Sequence, residues 1–228
     1  APVADSAASI RVASHKLDSL VNLVGELVTV QARLTQLSSQ RDDTDLMQVS
    51  EEVERLTGEL RDNAMGMRML PIGNTFAKFK RLVRDLSTDL GKEVFFTTSG
   101  EETELDKTVI DRLGDPLVHL IRNSIDHGIE PPEVRKAAGK PAAGTIRLTA
   151  EHTGAYVLIS VSDDGAGLNT DAIRRKAVEK GLISPDALLS ERELFELILA
   201  PGFSTAETVS KVSGRGVGMD VVKSNIES

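Results

Sequence analysis

The sequence predicts an α+β protein: an antiparallel helical hairpin followed by an α/β sandwich domain. Three observations carry this. Two long segments near the start repeat apolar residues at helical spacing. A polar break rich in helix-capping side chains, SSQRDDTD at 38–45, separates them. Beyond Pro71 the pattern changes to shorter helices alternating with period-two strands.

Residues 1–9 are small and polar and are expected to form a linker with no fixed structure. From 14 to 38 the chain reads as one helix, with Leu17, Leu20, Val21, Val24, Leu27, Val28 and Leu34 at three- and four-residue steps. In the second helix Leu46, Val49, Val53, Leu56 and Leu60 form a strict heptad seam. Each helix spans roughly 30–37 Å at 1.5 Å per residue. Two such helices, with one apolar stripe each, cannot bury that surface as a lone hairpin. The expected solution is a homodimer through residues 14–67, a four-helix bundle. The other is packing on the rest of the same chain. The hairpin domain is thus 10–68 and the second domain 69–228.

In the second domain GNTFAKFKRLVRDLSTDLG reads as a helix ending at Gly91, and residues 93–98 as a strand. Residues 106–127 read as a strongly periodic helix. GTIRLTA (144–150) and AYVLISVSD (155–163) read as strands joined by a turn at Gly154. Short helices are expected at 170–180 and 190–199, then a polar loop at 201–214, then a last helix opened by GRGVGMD.

Composition narrows the function. The net charge of -8, with no Trp and one Tyr, argues against a nucleic-acid surface. With no Cys there is neither a disulfide framework nor a thiolate site, and a reducing, cytoplasmic compartment fits. No apolar run approaches the roughly 18 residues of a membrane span, so no direct membrane insertion is expected. APVADSAAS is not a signal peptide, and the missing initiator Met is expected of a fragment.

Three segments carry candidate chemistry. In VHLIRNSIDHG, His119, Asn123 and His127 sit at i, i+4 and i+8 and share one helix face, flanked by Arg122 and Asp126. Leu117, Leu120, Ile121 and Ile125 lie on the other side and suit a core. Taken singly, such polar residues are ordinary surface. An Asn oxygen can, however, ligate Mg²⁺, which takes few protein ligands. VSDDGAGL ends a strand on Asp163-Asp164 and then places Gly165 and Gly167 where a flat ligand could approach the backbone. GRGVGMD puts Gly214, Gly216 and Gly218 before a helix, whose free amides suit an anion. It is neither a Walker loop nor a Rossmann fingerprint. A nucleotide satisfies all three: Asp163 accepting from the adenine amino group, Asn123 holding Mg²⁺ on the phosphates, the glycine amides donating to them, and the loop of 201–213 closing as a lid.

This order and spacing resembles the GHKL ATP-binding fold of gyrase-type ATPases and histidine kinases. VHLIRNSIDHGIEPP, DDGAGL and PGFSTAETVSKVSGRGVGMDVVK resemble the bacterial chemotaxis histidine kinases, and LDSLVNLVGELV resembles the start of their dimerisation helices. The resemblance covers roughly residues 10–228. It implies ATP and Mg²⁺ as cofactors, with Asn123 as metal ligand and Asp163 as adenine reader. It makes Gly165 and Gly167 the first glycine box, and Gly214, Gly216 and Gly218 the second. Phe203 and Ser204 fall in the lid motif, and Asp126 among the nucleotide contacts.

Hydrolytic members of the fold carry a Glu four residues before the Asn. Here His119 stands there, as in chemotaxis kinases, and an imidazole can act as general base near neutrality. Arg122 and His127 are expected to orient it. The implied partners are a phosphotransfer domain bearing the acceptor histidine and, through parts outside this chain, chemoreceptors, a coupling protein and response regulators. His15 is set aside as an acceptor, since no Pro follows SHKLDSL and the match is to a dimerisation helix. His152 is expected in a hairpin turn. By resemblance, further strands would follow the last helix, so the sheet is expected to be incomplete at Ser228. An ATP-hydrolysing conformational machine and a catalytically silent dimeric scaffold are the alternative functions.

Overall fold

A computed structural model describes residues 12–41, 43–203 and 218–227. The predicted linker, 1–9, lies outside them. The chain divides into two compact units, Ala1–Leu70 with Leu105–Lys107, and Pro71–Glu104 with Thr108–Ser228.

The first unit is the hairpin of α1 (Ser14–Arg41) and α2 (Thr44–Gly66). The break between them is shorter than the polar run suggested. Asp43 caps α2 directly, its carboxylate accepting from the Asp45 and Leu46 amides, so α1 continues to Arg41. The seam inside the hairpin is small and polar. Val24, Gln31 and Ser38 are buried from α1, and Ser50, Thr57 and Ala64 from α2, each row stepping by seven residues. Ser50 Oγ donates to Thr35 Oγ1 across it at 3.1 Å. Small side chains let the two helices approach, and Ser38 Oγ donates to Thr35 O at 2.9 Å. Much of the apolar heptad row therefore faces outward: Val49, Leu56 and Leu60 are 54%, 50% and 42% exposed, while Leu46 and Val53 are half-buried. Leu23, Val30 and Leu37 of α1 are exposed as well. Strands β1 (Met69–Pro71) and β3 (Glu104–Asp106) pair at the base of this unit, where Arg68 forms ion pairs with Asp106 at 3.2 Å and Asp18 at 3.7 Å.

The second unit is a helix-backed sheet. Strands β2 (Val94–Ser99), β4 (Gly144–Thr153) and β5 (Tyr156–Asp163) lie in the order β2-β4-β5, with β2 parallel and β5 antiparallel to β4. Along β4, Ile146, Leu148 and Ala150 are buried while Arg147 and Glu151 are exposed, the alternation of a sheet covered on one face. The covering layer includes α3 (Gly73–Asp89), which buries Phe76, Phe79 and Val83, and α4 (Lys107–Asn123), which buries Leu117 and Ile121. A short α5 (Pro132–Ala137) follows, which periodicity did not reveal. Helices α6 (Thr170–Glu179) and α7 (Glu191–Glu196) form a satellite core, with Ser190 and Glu193 closing a capping box on α7. Helix α8 (Met219–Glu227) is last. Among the described residues no helix is long and apolar enough to cross a membrane.

Candidate functional site

The polar row of α4 does not continue as predicted. The α-helix ends at Asn123, and Ser124–Gly128 form a π-turn in which the Ile129 amide reaches back to Ser124 O at 2.7 Å. The cause is local. Pro131 and Pro132 follow and supply no N–H, so the helix must stop and the last turn widens. His119 and Asn123 remain half-buried on α4, whereas His127 is carried out to solvent beside Asp126, 3.7 Å away. Burial, then the charges of Arg122 and His127, hold the His119 imidazole below its ordinary value. It is therefore uncharged at neutral pH and free to accept a proton.

The turn meets the strand end. At the close of β5 the Gly165 N–H donates to Asp163 Oδ1 at 3.0 Å, and the Ala166 N–H donates to Gly128 O at 2.9 Å. A Cβ on Gly165 would stand 2.1 Å from Gly128 O, and one on Gly128 would stand 3.0 Å from Asp163 Oδ1. Gly165 thus has an intramolecular reason of its own, the approach of the Gly128 carbonyl. Gly167 has another, a φ of +72° that side chains disfavour. Asp163 itself is exposed at the rim of this junction.

A ring of charges locks the loop from behind. Arg135 is fully buried. Its Nε donates to Pro141 O at 2.8 Å, and its Nη1 to Glu130 Oε2 at 3.0 Å and Asp164 O at 3.2 Å. Its Nη2 lies 3.1 Å from Asp164 Oδ2 as an ion pair, without a well-directed hydrogen bond. Lys140 bridges Glu130 Oε1 at 2.8 Å and Gly165 O at 2.9 Å. For Asp164, burial alone would raise the carboxyl pKa. The Thr145 amide and Arg135 outweigh that and leave it below its usual range.

The Lys140 hydrogen bond above all, with Arg135, depresses Glu130 to about 2. A depressed carboxylate stabilises the fold above its unfolded pKa of about 4.3, and that stabilisation drains away as pH falls toward 2. Urea midpoints are accordingly expected to fall between pH 5 and pH 3, and less so in Glu130→Gln. An equal fall in both would show that Glu130 is not the group responsible.

The third segment arrives through α8. Asn123 Nδ2 donates to Met219 Sδ at 3.2 Å, which leaves Oδ1 without a protein partner among the described residues. Gly218, half-buried, immediately precedes the helix. Asp220 accepts the Gly202 N–H and the Val221 N–H, each at 2.9 Å. The Gly202 bond above all holds the Asp220 carboxyl below its usual range. Phe203 is buried with Ile173, Ala177 and Leu194, under the Lys180 ammonium at 5.9 Å. Ser204, Gly214 and Gly216 lie outside the described residues. Asn123, Asp126, Asp163, Gly165 and Gly218 thus come from three distant segments to one end of the unit. Sequence reading missed Glu130, Arg135, Lys140, Asp164 and Asp220. A buried Arg in PPEVRKAAGK carries no signal in periodicity.

Comparison with known proteins places the chain in a family. Residues 109–228 match the family described as histidine kinase-, DNA gyrase B- and HSP90-like ATPase. The chain belongs to that family. Residues 7–67 match the homodimeric domain of signal transducing histidine kinases. The chemotaxis protein CheA of Bacillus subtilis is 49% identical over 222 residues, which are 96% of this chain and 33% of that protein. The chemotaxis protein CheA of Klebsiella aerogenes is 51% identical over 227 residues, 98% of this chain and 35% of that protein. The chain is thus similar to CheA proteins over nearly its whole length, and it spans about a third of the length of those relatives. The histidine kinase domain of the blue-light activated kinase of Erythrobacter litoralis EL346 overlaps at a TM-score of 0.33 and 18% identity, covering 69% of this chain and 76% of that chain. That likeness is too loose to add to the assignment.

Proposed function

We propose that this chain is the dimerisation and ATP-binding core of a cytoplasmic chemotaxis kinase, which transfers the γ-phosphoryl of Mg·ATP to a histidine on a separate phosphotransfer domain, in trans within a homodimer. The observation that carries it is the convergence of Asn123, Asp163 and Gly218, with a neutral His119 one turn before Asn123. The residues fit the cofactor. Asn123 offers one hard oxygen, as suits an ion held mainly by phosphates. Among the described residues no cluster of three His, Cys, Asp or Glu could hold a metal without such help.

Bound Mg·ATP supplies the transferable phosphoryl group and neutralises its charge. The chain does the rest by positioning. The Asp163 carboxylate accepts from the adenine amino group. Gly218, with Gly214 and Gly216, presents amides to the phosphates, and Phe203 and Ser204 begin the covering segment. His119 accepts the proton released by the incoming nucleophile, with Arg122 and His127 biasing its ring. The outward apolar faces of α1 and α2 pair with those of a second copy. Chemoreceptors, a coupling protein and response regulators would engage the parent protein elsewhere.

Calorimetric titration with Mg·ADP tests the site. Wild type is expected to bind in the micromolar-to-submillimolar range, about 10- to 100-fold tighter than Asp163→Ala. Equal affinities would remove Asp163 as the adenine reader. No binding by a folded wild type would overturn the kinase reading for this chain.

A further inference from the structure

Lys92 lies between α3 and β2, well before the matched residues 109–228, and no motif marks it. Its Nζ donates to Ile125 O and to Asp126 O, each at 2.7 Å. Both carbonyls belong to the π-turn, and the sequence explains why they need an outside donor. The Ile129 amide is already given to Ser124 O. Beyond Ile129 the backbone turns extended, and Pro131 and Pro132 have no N–H to give. A lysine from another element supplies the donor that the turn lacks. Burial lowers the pKa of the ammonium, and the charges of Asp126 and Glu130 oppose that shift.

The turn so held ends in Gly128. Gly128 O receives the Ala166 amide, and Gly128 Cα sits against the Asp163 carboxylate closely enough that a methyl group there would touch it at 3.0 Å. We propose that Lys92 is a positioning residue of the nucleotide site: its ammonium fixes the π-turn, and the π-turn, through Gly128, sets the Asp163 carboxylate for the base. The proposal rests on the nucleotide-binding reading above. It predicts an effect on base discrimination, because Asp163 reads the base rather than the phosphates.

The test uses the full chain, with Mg·ADP and Mg·IDP (inosine diphosphate, which lacks the 6-amino group) competing against a fluorescent ADP so that weak binding registers. Lys92→Met is expected to weaken Mg·ADP about tenfold and Mg·IDP distinctly less, narrowing the preference for adenine. Lys92→Arg, which keeps several charged donors, is expected to restore most of it. Should Lys92→Met not fold, Lys92→Gln, with a neutral donor, carries the same comparison at a smaller loss. A folded Lys92→Met with wild-type ADP affinity would overturn the proposal. So would an equal loss of both nucleotides alongside a lower melting temperature, the mark of a merely structural lysine. Wild type that binds neither nucleotide would instead bring down the proposed function, and the positioning role with it.

Discussion

Replacing Arg135 with Ala is expected to destabilise the α/β unit by about 3–5 kcal/mol, because it strips a buried ion-pair cluster of its central cation. Glu130 is only 14% exposed and Asp164 is 44% exposed, so the first of these carboxylates would be left buried with Lys140 as its remaining charged partner. The Pro141 carbonyl would lose its donor as well. For a unit of this size the loss corresponds to a fall of roughly 10 °C in melting temperature. Lys136→Ala is the control. Lys136 is on the same helix but 56% exposed, paired with the 85% exposed Glu133, and should shift stability by less than about 0.5 kcal/mol. Thermal and urea unfolding of the two variants decide the matter. An Arg135→Ala midpoint close to that of Lys136→Ala would mean that the ring does not hold the loop.

The second large effect is expected in the hairpin. Leu56 and Leu60 lie half-exposed on the outer row of α2, at 50% and 42%. Burying such a leucine contributes about 1.5–3 kcal/mol, and a carboxylate put in its place resists desolvation. Leu56→Asp with Leu60→Asp changes four positions of a homodimer, a loss of at least about 6 kcal/mol in association. Sedimentation equilibrium should find wild type as a dimer and the double variant as a monomer at micromolar concentration. Mg·ADP affinity should survive, since the substitutions lie far along the chain from Asn123 and Asp163. A variant that stays dimeric would place the interface on another face. Ser50→Leu would probe the inner seam in the opposite sense, by overpacking it.

Much of this protein is legible from periodicity and punctuation. The two long helices follow from three- and four-residue apolar steps, and the strands around Gly154 from alternation. The motif segments 119–127, 163–167 and 214–220 stand out because they break those patterns with polar residues and glycines. Their joint reading as a nucleotide site rests on an amide oxygen, a carboxylate and two glycine runs that follow one another in that order.

What the sequence determined alone is therefore the local part: the main helices and strands, the hairpin, its apolar heptad row and the family of the site. Tertiary structure decided the rest, for physical reasons that no window of sequence contains. Which heptad row meets the neighbouring helix depends on how closely two backbones approach, and small residues such as Ser50, Thr57 and Ala64 won that contact over the leucines. The carbonyls that the π-turn leaves without a backbone donor are satisfied by Lys92, some thirty residues upstream. Gly165 is glycine because Gly128 comes to lie against it, and Arg135 is buried because Glu130 and Asp164 are there to pair with its charge. Each is a long-range approach whose energy exists only once the chain has folded, which is why no spacing rule announced it.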